Sequence, residues 1–130
     1  MDIAGRIAIV TGGASGIGRA VCEVLAEAGA RGVVIADVDA QGAAETRARI
    51  EADTAAEGLV VATDVSDEDQ VAALVAATIE RFGRIDILVN NAGICPMVPW
   101  DQTDLASWNR IIEVNLTGAY LCCREVLPHM

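Results

Sequence analysis

The residues with most chemical promise are Thr11-Gly12-Gly13-Ala14-Ser15-Gly16-Ile17-Gly18. They stand between an apolar run, Arg6-Ile7-Ala8-Ile9-Val10, and a stretch of helical spacing, Arg19 to Ala28. A glycine-rich turn leading into a helix suits a diphosphate. The helix mouth carries free N–H groups and a partial positive charge. Gly12 lets the backbone turn sharply, Gly16 lets main chain approach a pyrophosphate, and Gly18 lets the helix pack closely on the strand. The glycine spacing is not the G-x-G-x-x-G of the commonest dinucleotide fingerprint. On these residues alone, a turn without a ligand stays open.

Further polar residues fall where other apolar runs stop. Gly32-Val33-Val34-Ile35-Ala36 ends at Asp37, and Leu59-Val60-Val61-Ala62-Thr63 ends at Asp64. Asp86-Ile87-Leu88-Val89 runs into Asn90-Asn91-Ala92-Gly93. Asp37 lies 19 residues after Gly18, close to the ~20 at which an acid meets an adenosine ribose. A carboxylate there accepts from the ribose diol and repels a 2′-phosphate. Val38 follows it and Ser15 precedes Gly16, so neither place offers a cation for that phosphate. NAD over NADP is the expectation. Asp64 can accept from an adenine amino group with Val65 beside the ring, or cap a helix before Ser66; both can hold. Asn90 and Asn91 fit turn chemistry, and Ala92-Gly93 leaves room for a ribose or nicotinamide to approach the backbone.

A last polar anomaly lies near the end of the chain. Trp108, Ile111, Ile112, Asn115, Ala119, Cys122, Cys123 and Val126 follow helical spacing, which puts Asn115 on an apolar stripe. A buried amide without partners costs about 1–3 kcal/mol. It must therefore satisfy local backbone, bending the helix, or hold a water or polar network. Residues 116–127 are apolar nearly all round, which implies burial on more than one side.

The elements that position these residues follow from the pattern. The strands are continuous apolar runs, as expected of a parallel sheet covered on both faces. Between them, Asp39 caps a helix through about Ala52. Ser66 opens another, with Asp69 as a near capping box and a stripe of Val71, Leu74, Val75, Thr78, Ile79 and Phe82; Gly83 ends it. A loop with Pro96 and Pro99 precedes a helix from about Asp104. Strand and helix alternating in this way give a doubly wound α/β fold, four parallel strands with their carboxyl ends on one side. In such sheets ligands bind beyond those ends.

Composition narrows the function classes. The chain has 130 residues, 53% of them hydrophobic, and a net charge of −10 from nine cations against nineteen acids. That is one domain's worth of chain with material for a core. The acidity argues against nucleic acid and anionic membrane as partners. Every cation is arginine; there is no lysine. Cys22, Cys95, Cys122 and Cys123 form no C-x-x-C pair, and with His129 the only histidine a metal site is not expected. The cysteines read as small packing residues in a reducing compartment. With no signal peptide and no run near the ~20 residues of a membrane span, the expected location is cytoplasmic.

Together these residues resemble the short-chain dehydrogenase/reductase family: Thr11-Gly12-x-x-x-Gly16-x-Gly18, Asp37, Asp64-Val65, Asn90-Asn91-Ala92-Gly93, and Asn115 within Val114-Asn115-Leu116-Thr117-Gly118, in order across nearly the whole chain. The resemblance implies a Rossmann fold, a nicotinamide cofactor, and hydride transfer between an alcohol and a ketone. It places Gly12, Ser15 and Ile17 at the pyrophosphate, Asp37 at the adenine ribose, Asp64 and Val65 at the adenine, and Asn91 to Gly93 at the inner ribose. Asn115 matches the first member of the family's catalytic tetrad, which anchors a proton-relay water. The remaining members, a Ser and a Y-x-x-x-K pair, match nothing here. Tyr120 with Arg124 copies the spacing but sits too close to Asn115, and arginine holds its proton. Residues 1–130 are therefore expected to be one dinucleotide-binding segment of an enzyme roughly twice this length, inactive alone. The alternatives are a non-catalytic dinucleotide-binding protein or partner subunit, and a fragment that docks on another chain and binds nothing. By resemblance the parent is a homo-oligomer, a dimer or tetramer, pairing through the helix at 104–127 and the next helix. Ile94, Cys95, Pro96, Met97 and Trp100 are candidates for the rim of an apolar substrate pocket.

Overall fold

The computed structural model describes residues 2–130. Four strands, β1 (Ile7–Thr11), β2 (Gly32–Asp37), β3 (Glu57–Ala62) and β4 (Ile87–Val89), form one parallel sheet in the order β3-β2-β1-β4. Three helices alternate with them: α1 (Gly16–Glu27), α2 (Ala40–Asp53) and α3 (Glu68–Phe82). After β4 come a 3-10 turn (Trp100–Gln102), α4 (Leu105–Ile112), a π turn (Glu113–Thr117), α5 (Gly118–Val126) and a closing 3-10 turn (Leu127–His129). This is the doubly wound α/β Rossmann arrangement.

Why both faces are covered is visible in the alternation along β1 and β2. Ala8, Val10, Val33 and Ile35 pack with Cys22, Leu25 and Ala26 of α1 and Ala43 and Ile50 of α2. Ile9, Val34 and Ala36 point the other way, toward Leu74 and Val75 of α3 and Val126 of α5. All five β1 residues are buried. β3 departs from the expected buried run: it begins at Glu57, ends at Ala62, and only Gly58 is buried. It is an edge strand, so its outer half lacks a neighbour.

The helix ends follow local chemistry. Asp39 caps α2 by accepting from the Gly42 N–H at 3.0 Å. The cap of α3 is Asp67, which accepts from Asp69 and Gln70 N–H, and not Ser66; Ser66 is turned to Asp64 instead. Gly83, at φ 77°, ends α3 in the left-handed conformation glycine favours. The expected stripe of α3 is buried or half-buried at every position named.

The stripe expected on the last helix is only partly buried. Trp108 and Cys123 are exposed, and the covered face is Val114, Gly118, Leu121, Cys122 and Val126. The buried face is regular across the π turn: Val114, Gly118, Cys122 and Val126 recur at four-residue steps, one residue off the position of Asn115. Apolar residues lie on more than one side of this helix, and only one side is covered. Leu116, Tyr120 and Leu127 are exposed rather than enclosed. Among the described residues, no helix is long and apolar enough to cross a membrane.

Candidate functional site

Because the strands are parallel, their carboxyl ends share one edge, and a cleft of about 430 Å³ opens there. It is lined by Gly12, Ser15, Gly16, Ile17 and Gly18 from the first turn, Asp37 and Val38 from the end of β2, Thr63 to Val65 beyond β3, and Asn91 to Ile94 beyond β4. Arg110 and Val114 close it from the last helix. Every residue assigned to a cofactor by spacing or by the family resemblance lines this one cleft. Asn115 stands just behind it.

The first turn is built to hold its shape. A methyl on Gly18 would stand 2.0 Å from the Gly12 carbonyl oxygen and 2.6 Å from Nδ2 of Asn91. No side chain larger than hydrogen fits there. Gly16 differs: its φ is +53° and a Cβ would meet open space. Its backbone conformation is one L-residues rarely adopt, and it lines the cleft. Ser15 precedes α1 without bonding any helix N–H through its side chain. The first N–H groups of α1 therefore lack intrahelical acceptors and open on the cleft.

Behind the turn, Thr46 is fully buried and donates to the Gly13 carbonyl at 2.9 Å. Arg19 reaches the carbonyls of Ala14 and Gly42 and the Thr46 hydroxyl oxygen. These bonds hold the loop's carbonyls away from the cleft. Neither residue carried a signal in the sequence, since each acts across tens of residues.

Asp37 is engaged on both oxygens. Oδ2 accepts from the Ala14 N–H and Oδ1 from the Asp39 N–H, each at 3.0 Å. A carboxylate has about four acceptor sites, so the side chain both ties the glycine turn to β2 and keeps capacity for a diol. Ile17 and Val38, both large and apolar, line the cleft while 77% and 71% exposed.

Asn91 is committed to the protein itself. Its Nδ2 donates to the carbonyls of Thr11 and Gly12 at 3.0 and 3.1 Å. The Thr11 hydroxyl oxygen in turn accepts from the Asn91 and Ala92 N–H groups, both at 3.0 Å. The tips of β1 and β4 are thereby locked together. Asn90 lies outside this clasp and donates to the Cys123 sulfur.

Asp64 is held more tightly than a strand-end acid needs to be. Oδ1 accepts from the Ser66 N–H and hydroxyl, and Oδ2 from Arg110 at 2.8 Å. Burial alone would raise its carboxyl, but the Ser66 bonds and the Arg110 guanidinium outweigh it and hold it below the usual carboxylate range.

Asn115 departs from expectation in one respect: it is exposed, not buried. Its amide satisfies backbone, but not that of its own helix. Oδ1 accepts from the Ile94 N–H at 2.7 Å and Nδ2 donates to the Ile94 carbonyl at 2.9 Å. The pair of bonds stitches the π turn to the loop after β4. Of the proposed substrate rim, only Ile94 lines the cleft. Met97 is 97% exposed, and Trp100 meets Trp108 edge-on at 6.5 Å.

The cysteines divide. Cys22 and Cys122 are buried, and burial pushes their thiols up to about 12 and about 11; they are inert packing groups. Cys95 and Cys123 are exposed, contrary to the packing role expected for all four.

Comparison with known proteins agrees with this geometry. The model of the short chain dehydrogenase family matches residues 6–130, and the chain belongs to that family. It is 51% identical over 126 residues to a cis-4-hydroxycyclohexanecarboxylate dehydrogenase of Sinomonas cyclohexanicum, covering 96% of this chain and 49% of the relative. A short-chain dehydrogenase/reductase of Burkholderia phymatum, solved in complex with NAD, superposes with a TM-score of 0.93 at 36% identity, over 100% of this chain and 46% of that one. A 3-ketoacyl-(acyl-carrier-protein) reductase of Brucella melitensis, solved with NADH, gives 0.88 at 38% identity, over 98% and 50%. The chain thus spans about half the length of the relatives it matches.

Proposed function

We propose that this chain supplies the cofactor half of a NAD-dependent oxidoreductase of the short-chain type, acting between an alcohol and a ketone. The observation that carries this is the single cleft at the strand tips, lined by the glycine turn, Asp37, Asp64-Val65 and Asn91-Ala92-Gly93 together. The residues fit a dinucleotide: open space at Gly16, N–H groups without acceptors at the helix mouth, and exposed apolar Ile17 and Val38 at the cleft. Two solved relatives hold NAD or NADH.

In this reading the backbone of Gly12, Ser15, Gly16 and Ile17 receives the pyrophosphate, with Gly18 permitting the approach of helix to turn. Asp37 accepts from the adenine ribose diol and repels a 2′-phosphate, with Val38 beside it. Asp64 accepts at the adenine and Val65 packs against it. Asn91, Ala92 and Gly93 form the wall for the inner ribose. The bound nicotinamide would supply hydride exchange at the carbon bearing the substrate oxygen. Asn115 serves the proton path: it fixes the loop at Ile94, and the π turn around it interrupts regular helix pairing, leaving polar groups able to hold a water. The Ser and Tyr-x-x-x-Lys of the family would come from the rest of the protein, since residues 1–130 contain no lysine. A homo-oligomer formed along the exposed side of the α4–α5 helix, in the cytoplasm, belongs to the same proposal.

The test is turnover by the full-length protein with NAD or NADP and a panel of secondary alcohols and ketones, followed by nicotinamide absorbance. NAD-linked turnover at higher kcat/KM than with NADP is expected. No nicotinamide-linked turnover together with no NAD binding would overturn the reading.

A further inference from the structure

Arg110 lies 46 positions from Asp64 in sequence yet joins it at the cleft wall. Its Nη2 donates to Asp64 Oδ2 at 2.8 Å and its Nη1 donates to the Ser66 hydroxyl oxygen. Ser66 in turn donates twice to Asp64 Oδ1, from N–H at 3.0 Å and from the hydroxyl at 2.6 Å. Glu113 stands farther off, 3.8 Å from Arg110 Nη1. The Asp64 carboxylate is thus pinned at both ends. With three donors on about four acceptor sites, one site on Oδ2 is left.

We propose that Arg110 is a positioning residue that sets base selectivity: by pinning Asp64 it leaves one acceptor for an exocyclic amino group, so the cleft takes adenine in preference to hypoxanthine. The inference rests on the reading of Asp64 as the acceptor at the adenine. The chemistry of the two bases supplies the logic. Adenine carries an amino donor at C6. Hypoxanthine carries a carbonyl there and an N–H at the adjacent N1. A carboxylate free to swing can take the N1 proton and tolerate either base. A pinned one meets the C6 carbonyl oxygen, and two acceptors repel. A site built around one hydrogen bond rejects the analogue that cannot make it, because its own polar group is left unpaired.

The experiment is calorimetric titration of the full-length protein with NAD and with nicotinamide hypoxanthine dinucleotide. The wild-type protein is expected to prefer NAD by about ten-fold, the value of one such hydrogen bond. In Arg110→Gln the ratio should shrink to within about two-fold, the span of a few tenths of a kcal/mol. Arg110→Lys, keeping a cationic donor but not the fork, should fall between. An unchanged ratio in Arg110→Gln, even with both affinities lowered, would mean that Arg110 only braces the fold, and would overturn the inference. So would a wild-type ratio near one. Should Arg110→Gln fail to fold, an unchanged ratio in Arg110→Lys would count against it equally. A wild-type protein that binds neither dinucleotide would overturn the reading of the cleft itself, a distinct result.

Discussion

At Asp37, each carboxylate oxygen already receives a backbone N–H, one from Ala14 and one from Asp39. Asp37→Ala should therefore do two things. It should lower affinity for both NAD and NADP by loosening the glycine turn, and it should reduce the proposed preference for NAD by removing the charge proposed to repel a 2′-phosphate. The ratio of kcat/KM for the two cofactors isolates the second effect; an unchanged ratio would remove Asp37 from specificity. Asn115→Ala should lower kcat more than cofactor affinity, because the proton-path role proposed for it acts on the transition state. A loss confined to affinity would mean that its bonds to Ile94 serve only the loop. The place of Asp37 and the glycines at the cleft was legible in the sequence because it follows from spacing along one strand–turn–helix unit. Arg19, Thr46 and Arg110 were not, because each partners groups tens of residues away.

Among the elements, the first turn tolerates least. Gly18→Ala would drive a methyl into the Gly12 carbonyl at 2.0 Å. The helix and turn must part, at a cost of about 3 kcal/mol or more, at the upper end of overpacking penalties; chemical denaturation measures it, and a loss under about 1 kcal/mol would show that the contact relaxes freely. The start of β1 is tied to β4 by Asp86, which accepts from the Ile7 N–H at 2.9 Å and pairs with Arg6 and Arg84. Burial raises its carboxyl, but the bonds from Arg84, the Ile7 N–H and Arg6 outweigh this and leave it lowered. A lowered carboxyl binds its proton less readily folded than unfolded. Its stabilisation is thus complete above the unfolded value of about 3.9 and drains as pH falls through the lower folded value. Asp86→Asn should flatten the acid limb of a stability–pH curve; an unchanged limb would place acid sensitivity elsewhere. The strands and α1 to α3 could be read because apolar runs and caps are local signals. The last helix misled because apolar residues lie on more than one side of it, and their spacing does not say which side is covered.

For the whole molecule, β4 is paired only with β1 among the described residues, and the α4–α5 helix carries exposed Leu105, Leu116 and Tyr120. Apolar surface on one helix is a candidate for association. In the full-length protein Leu116→Glu should lower the mass seen by light scattering after size exclusion. An unchanged mass would take the proposed oligomer off this face. Residues 1–130 alone should bind NAD without turnover, since the acid–base groups are proposed to lie elsewhere; turnover by that piece would refute the division.

The central claim is that the strand-tip cleft is the seat of the dinucleotide. Its most direct measurement is a crystal structure of the full-length protein grown with NAD. The expected density runs from Asp64 and Val65, past Asp37 and the Gly16–Ile17 N–H groups, to Asn91–Gly93. Density elsewhere, with that cleft empty at saturating NAD, would contradict the account.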